Sequence, residues 1–178
     1  MRIDPYLRTV ARRHPDLSSQ INTGIDSLVR NRVCLIHGDY SPKNIMLQVD
    51  GRMVILDHEV AVFGDPAFDL AFLINHLLLK GVCRPDRLTE VFAGITEFFS
   101  AYCSEIQEAA FADPDERVGR LLPMLMLARI DGKSPVEYLT EQQREATRAF
   151  ARDQILDPPP ATGELIEHFA SRFRPCPR

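Results

Sequence analysis

Residues 35–44 read Leu35-Ile36-His37-Gly38-Asp39-Tyr40-Ser41-Pro42-Lys43-Asn44, and residues 55–59 read Ile55-Leu56-Asp57-His58-Glu59. Between them lie two apolar runs separated by Asp50-Gly51, the strongest short-range signal for a β-hairpin. Strands are therefore predicted over 44–49 and 52–57. With Asp50 and Gly51 as the two turn residues, the pairing joins Val49 to Arg52, Leu47 to Val54, Ile45 to Leu56 and Asn44 to Asp57. Residues directly opposite in such a pair have Cβ atoms about 5 Å apart. This register places the Asn44 carboxamide beside the Asp57 carboxylate at the open end of the hairpin. Asp39 lies in the loop that feeds the same end. Hard oxygen donors of this kind suit Mg²⁺, which takes one or two carboxylates together with phosphate oxygens and water. The plainer alternative is that Asn44 and Asp57 only terminate strands, and a slip of one residue would separate them.

Outward from this segment the pattern is helical. Residues 1–15, with Pro5 and Pro15, read as irregular. Residues 16–31 carry Leu17, Ile21, Ile25 and Leu28 at helical spacing. After Asp57 the chain turns to helices. Asp65 is a good N-cap and Pro66 a good first helical residue, for a helix to about residue 80 that Gly81 would stop. That helix is apolar nearly all round and should be buried. Further helices are predicted over 85–110, over 114–130 with a kink or break at Pro123, over 140–156 and over 162–172. The fold class is mainly α with a small β-hairpin (α+β).

The chain has 178 residues, 45% of them hydrophobic, enough for a core without staples. The net charge of −4, without a Lys/Arg block, argues against nucleic acid and anionic membranes as partners. The most apolar stretch, 70–79, is half of the ~20 residues a bilayer span needs. Cys34, Cys83, Cys103 and Cys176 form no CxxC pair, so reduced thiols and a cytoplasmic location are expected. Gly132-Lys133-Ser134 imitates the end of a phosphate-binding loop. That motif needs a glycine where Leu127 stands and a strand where 121–130 reads as helix, so a helix-to-helix turn is expected. Glu105, Glu108, Asp113, Asp115 and Glu116 read as a solvated face rather than a cation site.

Residues 35–44 match the pattern H-G-D-x-x-x-x-N, and this stretch resembles the catalytic loop of the aminoglycoside phosphotransferase and choline kinase superfamily, relatives of protein kinases. Residues 55–59 resemble the metal-binding segment that follows, and Gly64-Asp65-Pro66-Ala67-Phe68-Asp69-Leu70-Ala71 the segment after that. The similarity is clearest over 33–80. It implies that Asp39 is the catalytic base and that Asn44 and Asp57 hold the Mg²⁺ that bridges ATP phosphates. It implies supporting roles for four more residues. His37 would brace the loop by bonding backbone near Asp57, and Asp69 would accept backbone N–H groups of the loop. Lys43 would meet phosphate or lie exposed, and Glu59 would stand near the metal or merely end a strand.

The same resemblance makes 1–178 a single kinase-like C-terminal lobe: a leading loop and helix (1–32), a catalytic loop and metal-binding hairpin (33–64) and a helical substrate-side subdomain (65–178). Kinases of this superfamily also have an N-terminal lobe with a phosphate-covering loop and a strand lysine. About 30 residues precede the catalytic strand here, without a glycine-rich loop, and the first lysine is Lys43. Absence of that lobe is expected. Truncation, a separate N-lobe on another polypeptide and a degenerate protein each account for it. The expected function is ATP- and Mg²⁺-dependent phosphoryl transfer to a hydroxyl of a small molecule. The alternative is a non-catalytic lobe that binds a metabolite or partner, with self-association through the uncovered apolar surface. A metal-dependent hydrolase using His37, Asp39, Asp57 and His58 is disfavoured. Such sites take several histidines, and His14, His76 and His168 have no motif around them.

Overall fold

A computed structural model describes residues 3–106 and 114–174. Seven α-helices are described: α1 Thr9–Arg13, α2 Ser18–Arg30, α3 Ala67–Cys83, α4 Leu88–Glu105, α5 Pro114–Asp131, α6 Glu141–Leu156 and α7 Thr162–Phe173. Four short strands accompany them: β1 Cys34–Ile36, β2 Ile45–Leu47, β3 Met53–Ile55 and β4 Val62–Gly64. The fold is mainly α with a small β component, as the apolar periodicity predicts.

The core forms around α3 and α5. Phe68, Ala71, Phe72, Ile74, Leu78 and Leu79 of α3 are buried, as are Val118, Leu122, Leu125, Met126 and Leu127 of α5. Fully burying one such side chain stabilises by about 1.5–3 kcal/mol relative to leaving it exposed. Aromatic edges lock the periphery, with Phe150 and Phe169 T-shaped at 5.3 Å. At the start of α6 the Thr140 hydroxyl accepts the Gln143 N–H at 3.2 Å, and the Gln143 side chain accepts the Thr140 N–H at 2.9 Å. That capping box satisfies two orphan N–H groups and explains why the helix begins where it does. Pro123 does not break α5, which continues from Pro114 to Asp131.

Several expectations need correction. The described part of the segment predicted to be irregular, 3–15, is not so: a π-helical turn at Asp4–Arg8 leads into α1. Tyr6, Leu7, Val10 and Ala11 recur at helical spacing and are buried. Pro5 sits in the first turn, where its missing N–H costs nothing. Arg13 donates to the carbonyls of Asp131 and Gly132, which ties this segment to the end of α5. Gly81 does not stop α3, which runs on to Cys83. A Cβ at Gly81 would stand 2.7 Å from Leu88 Cδ2, so the glycine admits the neighbouring helix instead. The chain after Asp57 is not all helical either, because β4 pairs antiparallel with β1, Leu35 opposite Phe63.

The hairpin register is also corrected. β2 and β3 pair Ile45 with Ile55, Met46 with Val54 and Leu47 with Met53. Asn44 therefore stands opposite Leu56, whose N–H donates to the Asn44 carbonyl at 2.8 Å, and not opposite Asp57. The cause is the turn. Gly51 N–H donates to the Gln48 carbonyl at 3.0 Å, Gln48 N–H to the Arg52 carbonyl at 2.8 Å, and Gly51 has φ +86°. This is a three-residue loop, Val49-Asp50-Gly51, with glycine in the left-handed region. Asp50 Oδ1 accepts the Arg52 N–H that a two-residue turn would have paired across the hairpin.

The imitation phosphate-binding loop is the turn that leaves α5. Gly132 N–H donates to the Ala128 carbonyl, and Val136 N–H donates to the Arg129 carbonyl. Asp131, beside it, accepts from His14 Nε2 at 2.9 Å and from Arg148 Nε at 2.8 Å. Burial raises the Asp131 carboxyl, but these two partners together hold it below the usual carboxylate range. Of the acidic cluster, Glu108 and Asp113 lie outside the described residues. Asp115 Oδ1 accepts the Thr162 N–H at 2.8 Å, and Glu116 pairs with Arg120 at 2.8 Å.

Candidate active site

β1 and β4 set the frame. β1 ends at Ile36, and α3 begins just after β4, so the first turn of α3 lies beside the loop that leaves β1. Asp65 Oδ1 accepts the Ala67 N–H at 2.9 Å, but α3 starts at Ala67 with Pro66 in the cap position, one residue later than predicted. Arg117 of α5 lies 3.2 Å from the other Asp65 oxygen. One turn later, Asp69 reaches back to the loop. Its Oδ2 accepts the His37 N–H at 2.6 Å and its Oδ1 the Gly38 N–H at 2.9 Å. Burial pushes the Asp69 carboxyl up, against the pull of these two N–H groups. A carboxylate is held there despite its desolvation because two backbone donors need an acceptor.

Gly38 has φ +78°, and a Cβ there would stand 2.8 Å from the Val60 carbonyl oxygen. Only glycine turns the chain this tightly against the next segment. His37 then closes the loop across the hairpin. Asp39 N–H donates to His37 Nδ1 at 3.2 Å, so Nδ1 carries the lone pair, and Nε2–H donates to the Leu56 carbonyl at 2.8 Å. The bracing bond predicted near Asp57 is thus made one residue before it. The ring is fixed in one neutral tautomer by the groups at its two ends.

Asp39 is 2% exposed. Asn44 Nδ2 donates to the Asp39 carbonyl at 2.9 Å and to Asp39 Oδ2 at 3.3 Å. Because both partners are acceptors, the amide must turn its nitrogen toward Asp39 and its oxygen away. Lys43 Nζ lies 3.2 Å from Asp39 Oδ2, at the exposed mouth of the loop. His37, Asp39, Lys43, Asn44 and Asp69 are therefore joined by direct contacts.

Asp57 and Glu59 are exposed and lie just outside this network. Asp57 has φ 67° and ψ 52°, and is the non-glycine residue with positive φ among those described. The left-handed region costs an ordinary residue about 1–2 kcal/mol, less for aspartate. Its neighbour Leu56 is held twice, by Asn44 through its N–H and by His37 through its carbonyl. Glu59 sits in the 3-10 turn that follows, His58–Val60. Among the described residues no group of three or more His, Cys, Asp or Glu side chains could enclose a metal by itself.

One neighbour was missed by the sequence reading. His76 lies on α3 two turns beyond Asp69, its ring 5.0 Å from that of Phe72. Burial, with the positive charge of Arg129, lowers its pKa to about 4, and Asp39 and Lys43 also act on it. The interruption of an apolar run by Asn75-His76 was the available signal.

No individual curated protein matches the chain. A family model, that of the phosphotransferase enzyme family (APH), matches residues 3–93, which hold β1 to β4, the loop and α3. The match covers just over half of the chain, and with it every residue named in the network above: the chain belongs to the phosphotransferase enzyme family.

Proposed function

We propose that this chain is the catalytic, C-terminal-lobe side of a kinase-like enzyme that transfers a phosphoryl group from ATP to a hydroxyl of a small molecule, with Mg²⁺. The observation that carries this is the buried Asp39 carboxylate, fixed by Asn44 on a loop pinned at Asp69 and braced by His37. A base of this kind needs positioning more than activation, since phosphoryl transfer depends mainly on alignment and charge neutralisation. Asp39 takes the proton of the acceptor hydroxyl as its oxygen bonds to the γ-phosphorus. The bond to ADP breaks and its electron pair stays on the β-phosphate oxygen.

The donor set fits Mg²⁺. Asn44 turns its oxygen away from Asp39, and Asp57 presents an exposed carboxylate one residue beyond the Leu56 tether. Mg²⁺ usually keeps several waters and takes one or two protein oxygens plus phosphate, so an enclosing cage is not required. Bound there, the ion would supply neutralisation of the phosphate charge. The left-handed Asp57 is the kind of strained residue that functional sites retain. Lys43 at the loop mouth is placed to pair with phosphate as readily as with Asp39.

A second reading is a kinase-like lobe that works by binding. The uncovered sheet faces favour it: Leu35 and Phe63 oppose each other across β1 and β4 at 73% and 57% exposure. Leu47 and Met53 do the same across β2 and β3 at 70% and 60%. A covering lobe or a second copy would find apolar surface there. Titrating Mg-ATP into the chain with an acceptor and measuring ADP release separates the two. ADP release that Asp39→Ala abolishes, with an unchanged circular dichroism spectrum, supports the enzyme. Undiminished turnover in that variant defeats the base assignment.

A further inference from the structure

α2, the first half of α5 and the end of α6 enclose a cavity of about 610 Å³. None of His37, Asp39, Asn44 or Asp57 lines it, so it is separate from the candidate active site. Leu28, Leu121, Met124 and Ile155 line it and are buried, and Leu156 at its edge is 55% exposed. Gly24 shapes this apolar part. A Cβ there would stand 2.7 Å from Met124 Sδ, so the glycine lets α2 close on α5. A space of this size takes a metabolite-sized ligand. Among its lining residues none is aromatic. An aliphatic body therefore fits it better than a nucleobase, which needs a stacking surface.

The polar part of the wall is rich in donors. Arg30, Arg117 and Arg120 line it, against two acids, Asp65 and Glu116. Both acids already have an arginine: Arg117 Nε lies 3.2 Å from Asp65 Oδ2, and Arg120 Nη2 lies 2.8 Å from Glu116 Oε1. Arg120 Nε donates to that same oxygen at 3.0 Å, so one carboxylate oxygen occupies only part of the guanidinium's donor set. Asp153 and Asp157 neighbour the α6 part of the wall but do not line it. Gln20 also lines the cavity, and its Oε1 is buried with no hydrogen-bond partner among the described residues. A half-turn of this amide puts its N–H₂ at the same point, since the terminal torsion is two-fold. A buried polar group in this state calls for a partner in the cavity.

We propose that this cavity binds a small amphipathic anion, a hydrocarbon chain that ends in a carboxylate or a phosphate. The chain lies on Leu28, Leu121, Met124 and Ile155. Met124 has an unbranched, polarisable side chain that repacks around such a guest. The oxyanion takes N–H groups from the arginines and from the Gln20 amide, and bonds between a guanidinium and an oxyanion are among the strong ones. On α2, Ser19, Thr23 and Ser27 fall at i, i+4 and i+8, one side of the helix, and all three line the cavity. Thr23 already donates its hydroxyl hydrogen to the Ser19 carbonyl at 3.0 Å. An ammonium in place of the oxyanion would meet three guanidinium groups and no lining acid without an arginine, which selects against it.

Calorimetry on the full chain at neutral pH compares octanoate, hexanoate, octyl phosphate and octylamine. No nucleotide is present, so the result does not depend on the phosphotransferase reading. Octanoate or octyl phosphate should bind, and the tighter of the two identifies the head group. Hexanoate should bind about tenfold more weakly than octanoate, since two methylenes are lost from an apolar wall. Octylamine should be at least about tenfold weaker than either anion. Thr23 is exposed and lines the cavity, so Thr23→Trp fills the space from the α2 side and should weaken binding about tenfold or more. Arg120→Gln, also at an exposed position, should weaken it about fivefold and carries the test if the tryptophan variant fails to fold. Leu35→Ser, on the uncovered sheet face, should leave the affinity unchanged. No binding of either octyl anion at millimolar concentration, or octylamine binding as tightly, overturns the proposal. So does unchanged affinity in folded Thr23→Trp or Arg120→Gln, or a loss in Leu35→Ser instead.

Discussion

Asp69 Oδ2 accepts the backbone N–H of His37 at 2.6 Å, across 32 residues of sequence. With Gly38 N–H on its other oxygen at 2.9 Å, this carboxylate is the peg on which the 37–44 loop hangs. Asp69→Asn keeps the shape but offers one acceptor where two are needed. One backbone N–H then faces an amide N–H₂, and a buried donor left unpaired costs about 1–3 kcal/mol. The urea midpoint should fall accordingly, and turnover should fall further because Asp39 loses its fixed position. A variant with unchanged midpoint and turnover would show that the peg is dispensable.

Gly38→Ala should be worse in effect than its size suggests. The φ of +78° costs alanine about 1–2 kcal/mol, and its Cβ would meet the Val60 carbonyl oxygen at 2.8 Å. That oxygen is backbone and cannot rotate away, so the loop or the 58–60 turn must shift. Stability loss with a displaced Asp39 is expected, seen as reduced turnover at saturating substrate in the fraction that remains folded. A Gly38→Ala chain as stable and as active as the parent contradicts this geometry.

His76 gives the chain an acid-side weakness. Its folded pKa is about 4 against an ordinary value of 6.5, owing to burial first and then to Arg129. Between these values the unfolded chain takes a proton that the folded chain refuses. Stability therefore rises with pH across this window, and it is lost as the pH falls from 6.5 toward 4. His76→Gln removes the titration, so the gap in melting temperature between parent and variant should shift against the parent between pH 7 and pH 4.5. Parallel melting curves for the two proteins over that interval would refute the assignment.

The parts of this fold that are local in sequence are the ones its sequence discloses. His37, Gly38, Asp39 and Asn44 lie within one loop, and the Asp69 carboxylate sits in a helix too apolar to hold it without partners, which the family resemblance, not the helix pattern, placed in that loop. The helix spans follow from apolar spacing, and Thr140 with Gln143 spells a cap. The buried Tyr6, Leu7, Val10 and Ala11 carry the same spacing, but two prolines masked it. What resisted was register and distance. Ile45-Met46-Leu47 has no polar alternation to say which face is inward, and pairing is then weakly specified by pattern alone. Asp50-Gly51 serves equally as a two-residue turn or as the end of a three-residue one. The meeting of Tyr6 with Arg129 spans 123 residues, and no local rule announces it.

The hairpin offers the sharpest check on that register. Val49 is exposed at the tip, and Gln48 already bonds Arg52 behind it. Deleting Val49 leaves Asp50-Gly51 as a two-residue loop between Gln48 and Arg52, the sequence that such turns favour. The pairs Leu47–Met53 and Ile45–Ile55 are then unchanged, and the Leu56 N–H still reaches the Asn44 carbonyl. Asp57 keeps its place beside the loop, so stability should change by less than about 1 kcal/mol, as for an exposed site away from special features, and turnover should survive. Cross-strand proton contacts between Leu47 and Met53, together with slow exchange of the Leu56 amide, report the register directly. Had the hairpin paired Asn44 with Asp57, Val49 would lie in the ladder opposite Arg52. The same deletion would then shift β2 by one residue against β3, turning Ile45 and Leu47 to the other face, and those contacts and the turnover would be lost together.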